Sequence, residues 1–164
     1  MEIQKLQTLI GRSAKVKALG RLLADEGLKE IRLEGLVASS APVFFSTLTE
    51  KCPEVLTAPY LFIMDDEEKA GYFYHDLTQI LGTSQVFFLP SSFRRAVKYG
   101  QRDAGNEILR TDALSALTNG ELVRSTLNVQ HSTLNAHPLP AHLFVVTYPE
   151  ALTELVVSKR ELQD

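Results

Sequence analysis

Short apolar runs constrain this chain more than any other feature. Residues 60–64 read Tyr-Leu-Phe-Ile-Met, 86–89 read Val-Phe-Phe-Leu, and 143–147 read Leu-Phe-Val-Val-Thr. A strand that is apolar on both of its sides must be covered on both sides. That is the situation of a parallel sheet packed under helices. An earlier segment, 31–37, alternates Ile31 and Leu33 with Arg32 and Glu34 before Gly35, and reads as a first strand.

Helical patterns fill the intervals. Ser13 can cap a helix over 13–26, in which Val16, Leu19, Leu22 and Leu23 share a face and Gly27 suits the end. Ser39 or Ser40 can cap the next helix, which tolerates Pro42 in its first turn and stops at Pro53. Its buried side would be Val43, Phe44, Leu48 and Cys52. A helix over 66–81 has an acidic first turn that complements its dipole, an apolar face of Ala70, Phe73, Leu77 and Ile80, and Gly82 at its close. Residues 103–118 form a long helix with Ile108, Leu109, Ala113, Leu114 and Leu117 apolar, and another helix starts at 149–155. Residues 124–141, with their Asn, Ser, Thr, His and two prolines, read as a loop excursion.

Strands alternating with helices predict an α/β fold, a three-layer parallel sheet with helices on both faces, in a single domain over 1–164. The carboxyl ends of the strands carry the functional loops in such a sheet. Those loops are 36–41, 65–67, 90–102 and 147–149.

Composition narrows the function. The net charge of −3 gives no general attraction to nucleic acid or membrane. One cysteine, Cys52, excludes an internal disulfide framework, and its place on an apolar helix side suits a small buried residue. There is no apolar leader and no run near the roughly 20 apolar residues needed to span a bilayer, so a cytoplasmic location without membrane contact is expected.

The 35–42 loop is the first candidate site. A phosphate-binding loop has Gly, four residues, then Gly-Lys-Ser/Thr. Counting from Gly35, the last three positions hold Ser40, Ala41 and Pro42. Alanine replaces the lysine that reaches the β- and γ-phosphates, and proline replaces the hydroxyl that holds Mg²⁺. The degenerate loop of Gly35, Ser39, Ser40, Ala41 and Pro42 is therefore expected to bind no cofactor and to catalyse nothing. Backbone amides there could still hold a stray anion.

The second candidate is a basic stretch, Arg94, Arg95, Lys98 and Arg102, interleaved with Phe93 and Tyr99. It offers a contact for nucleic-acid phosphates or an acidic partner, against the plainer reading of a solvated loop. His75, His131, His137 and His142 lack metal-ligand spacing, so no metal is expected. The acidic run 65–68 caps a helix and is given no acid–base role.

Several segments, taken in order, carry a family resemblance. They are the 35–42 loop, the strand 60–65 with its helix, Leu-Pro-Ser-Ser-Phe at 89–93, Tyr-Gly-Gln-Arg-Asp at 99–103, Asn-Glu-Ile-Leu-Arg at 106–110, and the valine-rich strand leading to Pro149 and Leu152. This order resembles the UvrB-like N-terminal module of bacterial transcription-repair coupling factors. The resemblance implies a P-loop NTPase fold of the RecA/UvrB type with an inactive nucleotide loop. It makes the chain the first part of a longer protein and puts Arg110 on an arginine-bearing helix, a possible nucleic-acid or partner contact. UvrB has an intact loop at 35–42 and a long aromatic hairpin after the third strand. Here the loop is degraded, and only about a dozen residues separate Pro90 from the 103–118 helix. Lesion clamping is therefore not expected.

The full coupling factors are ATP-dependent DNA translocases that displace stalled RNA polymerase and recruit UvrA. ATP and Mg belong to their motor modules, and UvrA is contacted mainly by the adjacent subdomain. The resemblance thus implies a non-catalytic scaffold module. Two other readings stand beside it. One is a nucleic-acid-binding accessory domain that uses the basic stretch, and the other is an unrelated small α/β phosphate-binding protein.

Overall fold

The computed structural model describes residues 3–25, 27–52, 59–93, 102–126 and 142–156, with 119–126 described by backbone alone. The elements run α1 (Ile3–Gly11), α2 (Ala14–Leu23), α3 (Ser40–Lys51), β1 (Tyr60–Ile63), α4 (Glu67–Leu81), β2 (Val86–Leu89), α5 (Ala104–Thr126), β3 (Phe144–Thr147) and α6 (Pro149–Leu152). No helix among the described residues is long and apolar enough to cross a membrane.

The three apolar runs become three parallel strands in the order β1-β3-β2. Phe144 aligns with Tyr60 on one side and Val86 on the other, and the register continues to Thr147 between Ile63 and Leu89. Side chains alternate across a strand, so this register sorts each strand onto two faces. Phe62, Val86, Phe144 and Val146 meet Ala70 and Leu77 of α4, with Phe45 of α3 and Phe73 packed against them. Leu89 and Val145 meet Ala113 of α5, joined by Phe87, Leu114 and Leu117. Helices therefore cover both faces of a small α/β sheet. The middle strand, β3, is buried along its whole length.

Local chemistry explains most boundaries. Ser13 caps α2 through its Oγ, which accepts from Lys15 N–H at 3.3 Å. Asp66 caps α4, its Oδ1 accepting from Lys69 N–H at 2.8 Å, and Gly82 closes that helix at φ +86°. Ser39 stands at the start of α3 without a side-chain cap. The Ser40 hydroxyl instead accepts from Val37 N–H at 2.6 Å.

The expected strand at 31–37 does not form, so among the described residues the sheet has three strands where the sequence predicts four. The reason lies in the side chains. A strand covered on both faces would have to bury Arg32 and Glu34, which instead pair with each other in solvent at 3.0 Å. Leu33 and Val37 are also left exposed, and Gly35 at φ +85° and Ala38 at φ +49° break the extended run. Only Ile31 of the alternating set packs inward, against the cluster of Val16, Leu19 and Leu48.

Helix α1 has no counterpart in the expectations from sequence. It lies against α3, where Gln7 Nε2 donates to Ser46 Oγ at 3.2 Å. Helix α5 continues to Thr126, so the first residues of the expected 124–141 excursion are helical, while 127–141 lie outside the described residues.

Candidate functional site

The carboxyl ends of β2 and β3 lie side by side, with Leu89 opposite Thr147. After β2 the chain reaches α5 on one face. After β3 it enters α6, whose Ala151 packs with α4 on the other face. In open α/β sheets, ligands bind outside the carboxyl ends of the strands.

In this chain a polar network occupies the carboxyl ends of β2 and β3. Arg110 of α5 is only 8% exposed. Its Nη1 donates to the carbonyls of Pro90 at 3.0 Å and Ala151 at 2.9 Å, and its Nη2 to the Glu154 carbonyl at 3.3 Å. Its Nε lies 3.6 Å from the Glu154 carboxylate. Ser92 donates to the same carboxylate from its N–H at 2.9 Å and from its Oγ at 2.7 Å. The Ser91 hydroxyl also donates to it.

Second partners fix the donors. Ser91 N–H donates to the Tyr148 hydroxyl at 2.9 Å, and Asn106 Nδ2 donates to the Ser91 carbonyl at 2.9 Å. Thr147, fully buried, donates from Oγ1 to the Leu89 carbonyl at 2.8 Å and ties the strand ends together. Desolvation alone would raise the Glu154 carboxyl. The donors on Ser91 and Ser92, together with the Arg110 charge, outweigh it and hold the carboxyl below its ordinary value.

The degenerate loop sits apart, beside β1. Ala38, Ser39 and Pro42 join Met64, Lys69, Tyr72, Phe73 and Asp76 around a cleft of about 520 Å³. Pro42 is buried, and Ala41 offers a methyl group where a phosphate loop would carry its lysine. At the rim, Lys69 pairs with Asp65 at 2.6 Å. The hydrogen bond and charge of that lysine hold the Asp65 carboxyl low.

Of the basic stretch, Arg94, Arg95 and Lys98 lie outside the described residues. Arg102 bridges Phe93 in a short antiparallel contact and pairs with Glu107 at 3.0 Å. Arg110 turns inward to the polar network rather than to solvent. No group of three His, Cys, Asp or Glu residues is placed to hold a metal among the described residues. Sequence reasoning passed over Glu154, which stands 62 residues from its Ser92 partner. The only local signal was its place just past a strand-end helix turn, on the functional edge of the sheet.

Comparison of the chain with protein-family models, curated proteins and solved structures finds no match.

Proposed function

We propose that this chain is a non-catalytic scaffold and interaction module, the counterpart of the UvrB-like N-terminal module of transcription-repair coupling factors. The 35–42 loop carries the reading. It has Ala41 and Pro42 where a lysine and a metal-binding hydroxyl would stand, and the Ser40 hydroxyl is engaged by Val37 N–H at 2.6 Å. Nothing in that loop supplies the positive charge that phosphoryl chemistry requires. The segment order through 89–93, 106–110 and 143–152 supports the family assignment and, with it, a P-loop-derived fold reduced to three strands.

In this reading the module supports the neighbouring UvrA-contacting subdomain. RNA polymerase, DNA and ATP·Mg²⁺ are handled elsewhere in the parent protein. Isothermal titration with ATP·Mg²⁺ tests the inactive loop. The expected result is no saturable heat and no phosphate release. Micromolar binding with hydrolysis would overturn the reading.

A further inference from the structure

We infer that the donor cluster at the carboxyl ends of β2 and β3 is a binding site for a phosphate group, closed in this structure by the chain's own Glu154. This goes beyond the scaffold reading and does not involve the 35–42 loop. The argument starts from the donors. Ser92 N–H at 2.9 Å, Ser92 Oγ at 2.7 Å and the Ser91 hydroxyl converge on a single carboxylate, with Arg110 Nε 3.6 Å away. Two hydroxyls, a backbone amide and a guanidinium facing one small volume form the donor set that recognises an oxyanion.

Partners other than the Glu154 carboxylate also hold these donors. Ser91 is held through Tyr148 and Asn106, and the Arg110 guanidinium is pinned by the carbonyls of Pro90 and Ala151. A guanidinium bonded to carbonyls keeps its full charge. Glu154 is the carboxylate that neutralises it among the described residues. The donors stand at the carboxyl ends of parallel strands, where ligands bind in this architecture.

The plug itself is lightly built. Glu154 follows α6 outside any regular element, and Leu155 beside it is 99% exposed. Displacing the carboxylate therefore moves a segment that belongs to no strand or helix. An internal competitor lowers the apparent affinity by the fraction of time the site stands open, so a plug in place about nine-tenths of the time predicts about tenfold tighter binding on its removal.

The test uses the full chain, the Glu154→Gln and Glu154→Ala variants, and calorimetric titration at fixed ionic strength. The probes are inorganic phosphate and O-phosphoserine, with chloride as the control. Tighter phosphate binding is expected in both variants. It should be lost again when Ser91→Ala and Ser92→Ala are added. Equal affinity for the two probes assigns the free ion, and preference for phosphoserine assigns a phosphorylated chain. A folded Glu154→Gln that binds phosphate no better than the unaltered chain overturns the proposal. Where the variants do not fold, the unaltered chain decides by amide NMR. Saturable shifts at Ser91 and Ser92 with phosphate, absent with chloride, support the site, and their absence overturns it.

Discussion

Arg110 shows how much one buried charge can decide. Its side chain and that of Glu154 are about 10% and 13% exposed, so neither is paid back by water if its partner is lost. Arg110→Ala leaves the Glu154 carboxylate buried with the Ser91 and Ser92 donors but no countercharge, and should cost about 3–5 kcal/mol in urea unfolding. The same pair has a pH signature. Glu154 has a depressed folded value, so the stability it contributes is present above the ordinary glutamate value of 4.5 and is lost as pH falls through the folded value. Unfolding curves collected down the acid limb should steepen below that point, and Glu154→Gln should flatten them. An unchanged acid limb in the glutamine variant would remove the carboxylate from the account. The family resemblance placed Arg110 on an arginine-bearing helix as a nucleic-acid or partner contact. Its direction depends on carbonyls 20 and 41 residues away, which no local pattern encodes.

At the scale of elements, close approach matters more than propensity in the α2–α3 contact. Gly20 lies inside α2, where alanine normally gains about 0.5–1 kcal/mol. A Cβ at that position would stand 2.6 Å from Cys52 Sγ at the end of α3. Gly20→Ala should therefore lower the melting temperature. Cys52→Ala in the same chain should recover most of the loss, a coupling that a double-mutant cycle measures. Strict additivity of the two changes would refute the contact. Elements of this kind were only partly legible. The buried runs at β1, β2 and β3 and the caps Ser13 and Asp66 follow from residue types. The 31–37 segment misled because Ile31 and Leu33 alternate correctly, while Arg32 and Glu34 cannot be buried under a second layer. Helix α1 was missed because nothing in the sequence announced its partner, the polar Ser46 side of α3.

Among the described residues the sheet is covered unevenly. β3 is buried throughout and β2 is covered by α5 on one face and α4 on the other. β1 pairs only with β3 among the described residues, and its Leu61 and Ile63 are each 51% exposed on the face where α5 covers β2. An edge strand with a free hydrogen-bonding row and an apolar side is a template for another chain. Sedimentation velocity across a concentration series should accordingly show reversible self-association. Leu61→Lys places a charge on that face, and should hold the chain monomeric while moving unfolding stability by no more than about 0.5 kcal/mol, as expected for a half-exposed position. A chain that stays monomeric at every concentration would mean that the edge is covered. A Leu61→Lys variant that unfolds would mean that the face is part of the core.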